Sequence, residues 1–178
     1  MSLSHAVLTS LIEKPSSGYD LARRFDKSIG YFWHATHQQI YRELARMEEA
    51  GWVESVAAPD AGNTRKRSYR VLPAGREELV RWAREPSAPM DLRDEVTVRL
   101  RADAALGSLG LEDELQRRIA LHQEKLEHYR AIEARDFPAG KVLSRSARIQ
   151  HMILKKGMLF EQGSIAWTQE MLAVLAQA

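Results

Sequence analysis

The stretch Thr36 to Gly51, THQQIYRELARMEEAG, constrains this chain more than any other. At about 100° per residue, Ile40, Leu44 and Met47 fall on one side of a helix, while Gln38, Gln39, Arg42 and Arg46 share the other. Thr36 can accept a backbone amide at the helix start, and Gly51 can take the left-handed conformation that ends it. A helix divided in this way must bury one face and leave long hydrogen-bonding side chains on the other. Glutamine can pair bidentately with adenine and arginine with guanine, so the outer face suits a major groove. The pattern alone equally describes a solvated face, and the flanking segments decide between the two.

Upstream, Val7, Leu8, Leu11 and Ile12 repeat at helical spacing from Ser4 until the KPSSG stretch at 14–18, which ends that helix. A second helix is expected from the serines, burying Leu21, Ala22, Phe25 and Ile29. Three short helices at this spacing, the third following Gly30-Tyr31-Phe32-Trp33, predict a helix-turn-helix bundle whose last member reads DNA. Downstream, Trp52–Ala57 is rich in tryptophan and valine, and Arg65–Val71 alternates Arg67, Tyr69 and Val71 with Lys66, Ser68 and Arg70. With turn residues 59–64 between them, these segments predict a β-hairpin wing.

The charge supports that placement. The chain carries only +2 overall, but residues 1–86 hold 13 Lys and Arg against 11 Asp and Glu, and the remainder is balanced at 13 each. From Ala61 to Arg76 there are five basic residues (Arg65, Lys66, Arg67, Arg70 and Arg76) and no acid, the pattern of a phosphate-contacting element.

A fourth helix is expected over Pro73–Glu85, with Leu79, Val80 and Trp82 apolar, before Pro86-Ser87-Ala88-Pro89 breaks the chain. This predicts two domains, 1–86 and 90–178. The second reads as long antiparallel helices. Leu92, Val96 and Leu100 repeat every four residues, and Leu115, Ile119, His122, Leu126, Tyr129 and Glu133 alternate steps of four and three like a coiled-coil seam. Beyond the breaker at 136–140, Ile149, Ile153, Phe160, Trp167, Met171 and Val174 line one side of a last helix from about Ser144. A second copy is expected to cover the seam, giving a homodimer with Leu92, Val96, Leu100, Ile153, Phe160, Trp167 and Met171 at its interface.

In their order, SGYDLARRF (17–25), QIYREL (39–44) with MEEAGWV (47–53), and KRSYRV (66–71) with AGREEL (74–79) resemble the PadR family of transcriptional regulators. LRDEVTVRL (92–100) and GSIAW (163–167) are similar to its longer members, whose helical domain resembles that of AphA-type virulence activators. The resemblance implies a dimeric winged-helix protein, usually a repressor, on a short inverted repeat. It also implies a phosphate contact for Tyr19, base reading by Gln39 and Tyr41, and wing contacts by Lys66 and Arg67. Leu72 departs from the pattern, since the family commonly has a threonine before the proline of the fourth helix. That helix start is expected to be frayed or capped in another way.

The expected fold is therefore mainly α, a winged helix-turn-helix followed by a helical dimerisation domain. The expected DNA-binding residues are Tyr19, Thr36, Gln38, Gln39, Tyr41, Arg42, Arg46, Asn63, Thr64, Arg65, Lys66 and Arg67. Trp33, Trp52, Tyr129 and Trp167 are candidates to line a pocket for a small aromatic effector that releases DNA, although each is equally explained by packing. The chain has no cysteine, and its histidines lack ligand-like spacing with a carboxylate, so no metal or other cofactor is expected. It lacks a phosphate loop, an H-E-x-x-H and a G-x-S-x-G elbow, which argues against an enzyme. With no leader pattern and no apolar run near the roughly 18 residues of a membrane span, a cytoplasmic location is expected. The alternative is a winged helix that serves as a protein–protein interaction module without binding DNA.

Overall fold

The computed structural model describes residues 3–26, 35–57, 67–89, 93–140 and 142–177. Helix α1 (Leu3–Glu13) is followed by strand β1 (Ser16–Ser17), helices α2 (Gly18–Asp26) and α3 (His37–Glu49), strands β2 (Val53–Ala57) and β3 (Arg67–Val71), and helix α4 (Pro73–Ala83). Helices α5 (Glu95–Leu106), α6 (Glu112–Asp136) and α7 (Arg145–Leu175) complete the chain. It divides into two units, Met1–Pro89 and Met90–Ala178. No described helix is long and apolar enough to cross a membrane.

In the first unit, Val7, Leu8 and Leu11 of α1, Leu21, Ala22 and Phe25 of α2, Ile40, Leu44 and Met47 of α3, Ala35 and Val53 form one buried cluster, with Trp52, Tyr69, Val71 and Leu79 packed on it. Every predicted apolar position of α3 is therefore in the core. Ile29 lies outside the described residues. Val80, expected on the apolar side of α4, is half exposed, whereas Trp82 stacks on His5 of α1 at 4.4 Å between ring centroids. His5 Nε2 also donates to Glu78 at 2.9 Å, so one residue holds α4 against α1. Hydrogen bonds from Arg81 and then from His5 hold the Glu78 carboxyl at about 2, below its ordinary 4.5.

The sheet has three strands rather than the expected two, in the order β1-β3-β2 and antiparallel throughout. Ser16 and Ser17 pair with Tyr69 and Ser68. Two serines are too short to show a period, and serine at a helix start reads as a cap. Ser17 is both, since its Oγ also accepts from Asp20 N at 3.1 Å. Helix α4 lacks a side-chain cap at Leu72, as expected, but begins with proline, which has no amide to satisfy, and Leu72 N donates to Trp52 O at 2.9 Å.

The second unit corrects the reasoning behind the predicted interface. The seam of α6 is covered by α7 of the same chain, not left for a partner: Leu115, Leu126 and Tyr129 are buried, His122 Nδ1 lies 2.5 Å from Glu161, and Glu133 lies 2.6 Å from His151. Gly157 lets the two helices approach, because a Cβ there would stand 3.0 Å from the Tyr129 ring. The inward residues of α7 are His151, Leu154, Met158, Glu161, Ile165, Thr168 and Leu172, itself a ladder of threes and fours. The stripe expected from sequence is a different face and points outward, with Ile149, Ile153, Phe160, Trp167 and Val174 all exposed. Asp94 caps α5 and takes a bidentate bond from Arg118 of α6 at 3.0–3.2 Å. Val96 is buried within the chain, Leu100 is half-buried, and Leu92 lies outside the described residues.

Candidate nucleic-acid interface

Helix α3 begins with a complete capping box. Thr36 Oγ1 accepts from Gln39 N at 3.3 Å, and Gln39 Oε1 accepts from Thr36 N at 2.8 Å. Bidentate adenine recognition needs the amide oxygen and nitrogen together, and the Gln39 oxygen is already engaged in the cap. Gln38 and Arg42 are exposed on the same outer face and make no hydrogen bond or ion pair among the described residues. They are the side chains freest to read bases. Arg46, farther along that face, pairs with Glu43 at 3.0 Å, which partly neutralises it. Gly51, at φ 69°, closes the helix after Ala50, as predicted.

Tyr41 of α3 packs against the start of α2, where Tyr19 lies. The Tyr41 ring covers Gly18 so closely that a Cβ there would fall 2.5 Å from ring atom Cε1, which explains the glycine of the SGY motif. Tyr19, next along α2, is 56% exposed, and the guanidinium of Arg23 lies over its ring at 5.6 Å. A tyrosine hydroxyl and an arginine thus share the start of α2 beside the reading helix, an arrangement suited to backbone phosphate. Arg24, one residue on, turns the other way and donates to Ser10 O at 2.5 Å and Lys14 O at 2.8 Å, tying the end of α1 to α2.

Of the predicted wing residues, Asn63, Thr64, Arg65 and Lys66 lie outside the described residues. Arg67 is exposed, and its Nη1 donates to Ser55 Oγ at 3.4 Å. Arg70, counted in the basic run, forms an ion pair with Glu54 directly across the sheet, so less of that run is available to phosphate than its composition suggested. One contact escaped the sequence reading. Glu48, in the last turn of α3, accepts from Ser55 N at 3.0 Å and from Ser55 Oγ at 2.6 Å. Burial first, then the nearby Glu48 carboxylate, raises the Tyr69 phenol above its ordinary value of 10.0. A glutamate on a helix and a serine seven positions later carry no pairing signal until the chain has turned from α3 into β2.

Among the effector candidates, Trp52 packs on the core of the first unit, and Tyr129 is buried between α6 and α7. Trp167 is 40% exposed, and Trp33 lies outside the described residues.

A family model described as the transcriptional regulator PadR-like family matches residues 7–81, and one described as virulence activator alpha C-term matches residues 92–176. The chain is 39% identical to the probable transcriptional regulator Rv1176c of Mycobacterium tuberculosis, over 99% of both proteins. Its structure is similar to that of the Vibrio cholerae virulence activator AphA, with 35% identity, 99% of this chain and 100% of that one covered, and a TM-score of 0.83. It also has the fold of Bacillus subtilis PadR, solved with operator DNA (24% identity, 97% of each chain, TM-score 0.85) and with p-coumaric acid (24%, 98% of each, 0.80). With a winged helix in its first half and the helical domain of AphA-like members in its second, the chain belongs to the PadR-like family of transcriptional regulators, proteins that are not enzymes.

Proposed function

We propose that this regulator binds a specific DNA sequence through α3 and the wing, as a homodimer on an inverted repeat, and that it acts as a repressor. The observation that carries the reading is α3, where Gln38, Tyr41 and Arg42 stand exposed with Tyr19 and Arg67 on neighbouring elements. Phosphate contacts from Tyr19 and the wing would fix the register, and the first two turns of α3 would meet base edges.

The outer stripe of α7 supports the dimer. Ile149, Ile153, Lys156, Phe160, Gly163, Trp167, Glu170 and Val174 follow steps of four and three, with open space around Gly163 at their middle. A second α7 crossing antiparallel at Gly163 would set Lys156 against the partner's Glu170, with Phe160 and Trp167 filling the seam. A two-fold dimer on consecutive major grooves holds its reading helices about 34–36 Å apart. A small aromatic molecule that favoured another spacing would release DNA, and the p-coumaric acid complex of the Bacillus subtilis relative supports an effector of this class.

The test is retardation of DNA from around the protein's own coding region, searched for inverted repeats. A tight complex with two protomers per repeat, lost when either half-site is scrambled, is the expected result. Binding no tighter than to random duplex for every repeat tried would overturn sequence-specific recognition.

A further inference from the structure

Strand β2 is the edge of the three-stranded sheet, and among the described residues its Ser55 N–H has no further strand to meet. Glu48 of α3 takes that place, accepting the Ser55 amide at 3.0 Å and its hydroxyl at 2.6 Å with a single carboxylate oxygen. The same serine oxygen accepts from Arg67 Nη1 at 3.4 Å, so the link runs from the reading helix through one leg of the wing to the first described residue of the other. Hydrogen bonds to a carboxylate are short and roughly twice as strong as neutral ones, and these two converge on one residue, which fixes direction as well as distance.

We infer that Glu48 is a positioning residue, setting the pitch of the wing on the reading helix so that phosphate contacts by the wing and base contacts by α3 form together. This rests on the DNA-binding reading above. It runs against simple electrostatics, since removing a carboxylate from a DNA-binding face should tighten binding. The sign of the effect therefore separates positioning from charge.

The test uses the full-length protein with a labelled random duplex over a range of salt concentrations. Glu48→Ala is expected to weaken binding and to flatten the dependence of log Kd on log salt by about 0.9 for each wing contact with phosphate that is lost. Glu48→Gln keeps an acceptor oxygen and should retain the wild-type slope. Glu49→Ala, the loss of an exposed neighbouring carboxylate, should bind as tightly as wild type or tighter. A variant that is merely unfolded in part loses affinity equally at every salt with its slope intact, so an unchanged slope for Glu48→Ala overturns the inference, as does tighter binding. If Glu48→Ala does not fold, Ser55→Ala, which keeps the backbone bond, must itself flatten the slope, and a wild-type slope there overturns the inference. Failure of the wild-type protein to bind any duplex would instead refute the DNA-binding reading itself.

Discussion

Replacing Arg42 with alanine isolates base reading from folding. The side chain is exposed, makes no hydrogen bond or ion pair among the described residues, and lies across the helix from Ile40, Leu44 and Met47. Its removal should change stability by no more than about 0.5 kcal/mol, as for surface positions generally. A bidentate arginine–guanine contact is worth about 1–3 kcal/mol of discrimination, which at about 1.4 kcal/mol per decade is roughly 5- to 150-fold in Kd. On random duplex the same side chain can supply at most one phosphate contact, so little affinity should be lost there. Arg42→Lys sharpens the comparison: it keeps the charge and loses the planar fork, so binding to random DNA should survive while specificity falls. Fluorescence anisotropy titrations of equal-length operator and random duplexes, with thermal unfolding in parallel, measure all three quantities. Equal losses on both duplexes would show that Arg42 touches the backbone only, and the assignment of base reading to this face would then be wrong.

Three further outcomes are expected. The double variant Phe160→Ala, Trp167→Ala should sediment as a monomer at micromolar concentration, with a helical half that melts at a lower temperature than that of wild type, because both side chains are exposed on the outer stripe of α7; a persistent dimer would place the interface elsewhere. Glu161 is 1% exposed and sits between His122 and Lys125, both of which reach solvent, so Glu161→Ala should cost about 1–3 kcal/mol while Glu161→Leu should be neutral or stabilising by thermal unfolding. A strongly destabilised leucine variant would refute that expectation. Since the Glu78 carboxyl is held at about 2, its contribution to stability is complete above its ordinary 4.5 and is lost as pH falls towards 2. The stability difference between wild type and Glu78→Gln should therefore shrink across that window, and a constant difference would mean that the His5 and Arg81 bonds do not couple to the proton.

How much of this was legible in the sequence varied with the range of the forces involved. Helix α3 read correctly at both ends because Thr36 acts within its first turn and Gly51 just beyond its last, and its core face followed from period alone. The α6 seam read correctly as a seam, but what covers it did not: α7 carries apolar residues on two sides, the inward side is interrupted by His151, Glu161 and Thr168, and the large Phe160 and Trp167 made the outer stripe the stronger signal. Polar residues that find partners only across the helix pair look like a solvated face. The two-residue β1 and the Glu48–Ser55 bond were illegible for the same reason, since each depends on a neighbour brought in by the chain's return. Gln39 is the opposite case, a residue expected to read bases whose oxygen the capping box has taken.

The two units differ in how well they can stand alone. Eleven apolar residues are buried together in the first. Among the described residues of the second, only Val96, Leu115, Leu126 and Tyr129 are, in helices of 12, 25 and 31 residues. Cooperative unfolding needs a shared dry interior, and on this count the winged helix should melt as one unit at a temperature independent of protein concentration. The helical half, whose apolar surface lies largely on the outside of α7, should melt in a separate step that moves upward with concentration, as expected where association completes the core. The abundance of the regulator would then set both how often its DNA site is occupied and what fraction of its C-terminal half is folded.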